Sequence, residues 1–121
     1  MLFFWTINDS TCEQAAPFLN QWYARYRDKG LEIIGVHSTE LEATYSEHAL
    51  FEKIEKLGIK FPVVADNDSH IRYSFCLQLW PSIFLVDRKG LIRAKYDGIL
   101  NFPDIETAFK VLLDEKPPER R

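Results

Sequence analysis

Along this chain, apolar residues come in short blocks separated by polar or glycine-bearing turns. Residues 2–7 form an almost unbroken apolar run, the pattern of a strand covered on both faces of a parallel sheet. Residues 10–29 then carry Ala16, Leu19, Tyr23 and Tyr26 at helical spacing, and Gly30 follows as a stop. Ser10 and Glu13 match the capping-box pattern at the start of that helix. Pro17 lies inside it, where the lost backbone hydrogen bond predicts a kink. Residues 31–37 predict a second strand that ends in Ser38-Thr39-Glu40. Residues 44–57 predict a second helix with an apolar stripe of Leu50, Phe51, Ile54 and Leu57, stopped by Gly58.

The second half of the chain reads the same way. Residues 61–65 are a short strand whose Pro62 suits a sheet edge, because proline cannot donate to a ladder. Residues 66–69 form a turn and cap before a short helix over residues 70–76. Residues 82–87 and 91–96 read as a β-hairpin around Arg88-Lys89-Gly90, with Gly90 supplying the left-handed residue of the turn. A last helix over residues 103–115 sets Ile105, Ala108, Phe109 and Leu112 on one face. Residues 116–121 lack an apolar anchor and are expected to form a loose tail. The predicted order is β-α-β-α-β-α-β-β-α: parallel β-α-β units, then an antiparallel hairpin and a closing helix.

Composition narrows the classes. At 121 residues the chain suits one domain, placed at residues 1–115. A formal net charge of −3 and the lack of a basic stripe with interleaved aromatics argue against nucleic acid. No apolar run approaches the roughly 20 residues of a membrane helix. The first residues lack the charged region and cleavage site of a signal peptide. The chain as it stands is therefore expected in the cytoplasm, or outside it if it is an excised or trimmed domain. Two cysteines, Cys12 and Cys76, do not make a disulfide scaffold. A bridge between them would need Cα atoms within roughly 7 Å and is not expected; Cys76, on an apolar helix end, reads as core. No Cys/His spacing suits zinc and no glycine-rich loop suits phosphate, so neither metal nor cofactor is expected. His48 and His70 read as solvated helix residues.

The stretch Phe4-Trp5-Thr6, a polar turn, Cys12, and Pro17 five residues later resembles the active-site segment of thioredoxin-fold thiol–disulfide oxidoreductases. The resemblance is to the TlpA-like group and the C-terminal domain of DipZ-like proteins of the AhpC/TSA type, and it covers nearly the whole chain. Gly35-Val36-His37 followed by a polar turn is similar to the same group. The implied fold class is α/β: a thioredoxin fold with a central mixed sheet flanked by helices. It carries the strand-helix insertion of TlpA- and peroxiredoxin-like members. Their usual first strand has no counterpart here, and could be supplied elsewhere if this is one domain of a larger protein.

The resemblance also implies a site. Those families carry Cys-x-x-Cys where this chain has Asp9-Ser10-Thr11-Cys12. Asp9 thus stands at the attacking position and Cys12 matches the resolving cysteine. An aspartate caps a helix well but cannot exchange disulfides. Its charge should also raise the Cys12 thiol pKa, and the thiolate is the reactive form. The expectations for Cys12 are a buried structural thiol or a monothiol site forming mixed disulfides or a sulfenic acid. Trp80-Pro81 matches the family's cis-proline, which faces the cysteine motif beside backbone groups that pair with an extended peptide; the alternative is an ordinary trans proline at a strand start. Trp5, Trp80, Pro81 and His37 are therefore the candidate substrate-binding residues. His37 could equally be a hydrogen-bonded strand-end histidine.

Two proton-relay carboxylates of relatives are replaced here by Phe3 and Ala15. The lone-cysteine setting of peroxiredoxins matches weakly, since Asp9 stands at its hydroxyl position and its upstream proline is absent. Dithiol turnover is not expected. The reading is a redox-family protein with any residual chemistry at Cys12, or else a non-catalytic module binding proteins in the groove. Its partners would be protein or peptide thiols and disulfides.

Overall fold

A computed structural model describes residues 1–7, 9–38 and 47–117. The expectations for Thr39, Glu40, the start of the second helix at residues 44–46 and the tail at 118–121 lie outside the described residues. The elements run β1 (Leu2–Trp5), α1 (Ser10–Tyr26), β2 (Ile34–Ser38), α2 (Glu47–Leu57), β3 (Val63–Asp66), α3 (His70–Ser74), β4 (Ser82–Val86), β5 (Ile92–Asp97) and α4 (Phe102–Asp114). A 3-10 turn over Arg27–Lys29 closes α1 and ends at Gly30, whose φ of +108° suits a residue without a Cβ. This is the expected element order.

The five strands form one mixed sheet in the order β3-β2-β1-β4-β5. β1 pairs in parallel with β2, and β2 with β3. β4 runs antiparallel to both β1 and β5. The strand after Pro62 does take an edge, beside β2. Central placement explains the unbroken apolar run of β1: alternate side chains enter two different cores. Phe3 and Trp5 join Leu19, Trp22 and Tyr26 of α1 and Ile105 and Phe109 of α4 on one side. Phe4 joins Val36, Leu77 and Phe84 on the other. Phe109 stands edge-on to both Trp22 and Tyr26 at 5.1 Å, which docks α4 on α1.

Three local readings need correction. The side-chain cap of α1 is Asp9, not Ser10: Asp9 Oδ1 accepts from the backbone N–H of Thr11 at 2.8 Å and of Cys12 at 3.3 Å. Glu13, freed from any capping box, pairs with Lys53 and ties α1 to α2. Phe51 does not join the α2 stripe but is 62 % exposed. It lies about 100° around the helix from Leu50, so a face that buries Leu50 and packs Ile54 and Leu57 leaves it in solvent. Cys76 is exposed rather than core. α3 ends at Ser74, Phe75 turns in to pack on Phe4 and Phe84, and Cys76 turns out with a φ of +53°. α1 runs through Pro17 without a break. His48 and His70 are exposed as expected, with His48 paired to Glu52 one turn on.

Candidate functional site

The site lies where β1 and β2 end and β4 begins. Their register sets Trp5 beside His37. On the other side, Phe4 pairs with Ser82 antiparallel, and Trp80 and Pro81 lead directly into Ser82 at that same end of the sheet. Thus His37, Trp5 and the Trp80-Pro81 pair, scattered in sequence, form one row across the sheet. The chain leaves that row at Thr6 and enters α1 at Asp9, which brings Asp9 and Cys12 to the same end.

Cys12 sits in the first turn of α1 and is 1 % exposed, within the core that contains Phe3, Trp5 and Leu19. Burial is the main reason its thiol is pushed up to about 12. A backbone hydrogen bond with Thr6 opposes that rise, while the carboxylates of Asp9 and Glu13 reinforce it. Near neutral pH the group is a thiol, not a thiolate. Asp9, half-buried, uses one carboxylate oxygen on the two amides that would otherwise steady a thiolate at this helix start.

Trp5 is buried, so it backs the site as a wall. Its ring stacks on Phe3 at 6.3 Å and meets His37 edge-on at 5.3 Å. Gly35 makes room for it: a Cβ there would come within 3.2 Å of Trp5 Nε1 and 3.1 Å of Phe61. His37 is equally buried, and its Nε2 accepts from the Ile7 N–H at 3.3 Å. Because Nε2 accepts, the neutral ring carries its proton on Nδ1. Burial lowers the His37 pKa to about 4. The ring is therefore a neutral brace that holds the turn from β1 to α1.

Pro81 is buried and the Trp80–Pro81 peptide bond is cis. Trp80 is half-buried and packs against both cores, bridging the two sides of the sheet. The sequence reading passed over two residues here. Asp66, taken as part of a turn, is a buried carboxylate at the end of β3. It accepts from Ser38 Oγ at 2.9 Å and from the backbone N–H of Ile71 and Arg72 at 3.0 and 2.9 Å. Arg72, held by that bond, lays its guanidinium over the Trp80 ring at 4.6 Å. An aspartate closing a strand just before a helix was the signal available for the first; nothing local marked the second. No cluster of three or more metal-ligating side chains occurs among the described residues.

The chain is 30 % identical over 115 residues to the protein DipZ of Mycobacterium bovis, an alignment covering 95 % of this chain and 16 % of that one. It is 29 % identical over 103 residues to the thiol-disulfide oxidoreductase ResA of Geobacillus kaustophilus, covering 85 % and 56 %. The chain thus spans less than two thirds of the length of either. Among solved structures, the thioredoxin domain of a thiol-disulfide oxidoreductase from Bacteroides vulgatus superposes with a TM-score of 0.74 at 28 % identity, covering 92 % of this chain and 76 % of that one. These matches establish the thioredoxin-like fold. No described helix is long and apolar enough to cross a membrane. The AhpC/TSA family model matches residues 1–95, from before β1 into β5 and through the whole site, and the chain belongs to that family.

Proposed function

We propose that this thiol–disulfide oxidoreductase-like chain binds protein or peptide partners at the row formed by Trp5, Trp80 and Pro81, without dithiol exchange. The observation that carries this reading is the state of Cys12. It is buried and its thiol is pushed up to about 12, while the preceding position of attack holds a carboxylate that caps α1. A site arranged this way offers a thiol that is neither exposed nor ionised, and thiol–disulfide exchange needs both exposure and ionisation. What remains is the start of β4: Pro81 O accepts from the Gly98 N–H and Leu79 O from Ser82 Oγ, which leaves the Trp80 backbone, outside any strand, to pair with an extended chain.

A monothiol reading has one observation in its favour, the Thr6 backbone hydrogen bond that lowers the Cys12 pKa. Alkylation of Cys12 across pH, resolved from Cys76 by peptide mass spectrometry, separates the two. Cys76 should label readily in the folded protein, being exposed. Cys12 should label only on unfolding, or with a midpoint far above the free-thiol value of about 8.5. Rapid labelling of Cys12 near neutral pH would revive the monothiol reading. Asp9→Cys tests the rest of the site: it should switch on reduction of insulin disulfides. No gain would mean that the surroundings no longer support exchange.

A further inference from the structure

The arginine beside the site has charge to spare. Arg72 stacks its guanidinium over the Trp80 ring at 4.6 Å and over Tyr73 at 5.3 Å. Its Nε is buried and makes no hydrogen bond within the described residues. No carboxylate among those residues forms an ion pair with it. Of the two acidic groups in its own segment, Asp66 is committed to Ser38 Oγ and to the backbone N–H of Ile71 and of Arg72 itself, and Asp68 accepts from the His70 N–H. Stacking satisfies the faces of a guanidinium but not its edge, where five N–H donors project in one plane. Trp80 Nε1 is a further buried donor without a partner among the described residues. Two aromatic contacts and a tethered backbone thus hold an unpaired cation against the residue that precedes Pro81.

We propose that Arg72, stacked on Trp80, is a specificity-determining residue that takes a carboxylate of a peptide lying across the Trp80-Pro81 row. This rests on the reading that the row binds peptides. A carboxylate fits the fork of a guanidinium with two parallel hydrogen bonds, and a positioned arginine gives up less freedom in making them than a loose one would. Apolar packing against the Trp80 ring would hold the neighbouring peptide segment, while the Arg72 edge would select an acidic residue beside it. Partners would therefore carry an acidic group next to the segment that docks, although the chain itself has a net charge of −3 and repels acidic proteins at long range.

The test is an array of random ten-residue peptides probed with the full chain and with R72Q, R72K and W80A, each first shown to be folded by circular dichroism. Every sequence is present with a free and with an amidated C-terminus. Enrichment of Asp or Glu at one position in the bound peptides is expected. Binding of those peptides should fall about tenfold in R72Q, less in R72K, and most in W80A. Acidic preference that survives amidation assigns the carboxylate to a side chain; preference confined to free C-termini assigns it to the chain end, and either supports the proposal. Peptides that bind through Trp80 with no acidic preference, or with one unchanged in R72Q, overturn it and leave the peptide-binding reading standing. Absence of any peptide binding by the folded wild-type chain overturns both.

Discussion

At the scale of single residues, position 9 sets how the first amides of α1 are satisfied. In the first turn of α1 a carboxylate and a cysteine thiolate compete for the same backbone amides, and Asp9 holds them. Replacing Asp9 with Ala should cost about 1 kcal/mol of stability, the usual effect of losing an N-cap, measured by urea denaturation. The same variant should leave Cys12 slow to alkylate, because burial outweighs the Asp9 charge among the causes of its raised pKa. A large gain in Cys12 reactivity in Asp9→Ala would mean that charge, not burial, silences the thiol. Cys76 shows the opposite case. It lies on an apolar stretch, yet one left-handed residue at a helix end turns it to solvent. Sequence pattern reads side-chain type well and direction poorly wherever a helix stops.

At the scale of elements, the site is a meeting of strand ends, and Gly35 keeps β2 close enough to serve it. Its backbone lies under Trp5 and Phe61, so a methyl group there would press both rings and one must give by a few tenths of an ångström. Gly35→Ala should therefore destabilise the protein by about 1–3 kcal/mol through overpacking and move the Trp5 ring, which tryptophan fluorescence would register. An unchanged urea midpoint would show that Phe61 or Trp5 can give way at little cost. The elements were largely legible in advance. The run at residues 2–7, the stripe of α1 and the hairpin at Gly90 all carry local patterns that fix their type. Their ends were less legible. β1 stops at Trp5, not Ile7: β2 runs on to Ser38, but the Ile7 N–H turns to the His37 side chain instead of extending the ladder, a contact between residues distant in sequence.

At the scale of the whole molecule, the sheet turns a histidine into a structural brace with a pH cost. His37 is buried and neutral, and its pKa is lowered to about 4 from an ordinary 6.5. Between about pH 6.5 and pH 4 the unfolded chain binds a proton that the folded chain does not. Stability is therefore full above this window and falls as pH drops through it, by up to about 3 kcal/mol for a shift of this size. His37→Gln, which keeps an acceptor but cannot titrate, should show a flatter dependence of the urea midpoint between pH 7 and pH 4.5. An identical slope in the variant would assign the acid sensitivity to carboxylates instead.

The sequence alone determined the order of elements and the family resemblance, because periodicity, caps and motif spacing are local properties of the chain. It also named Trp5, His37, Cys12, Trp80 and Pro81 as belonging together. Only the tertiary structure decided how each serves the site. Trp5 and His37 became buried supports, Cys12 a thiol held protonated, Asp66 a buried anchor, and Arg72 a cation on Trp80 with no ion pair among the described residues. Burial and charge pairing depend on neighbours distant in sequence, brought together only when five strands take the order β3-β2-β1-β4-β5.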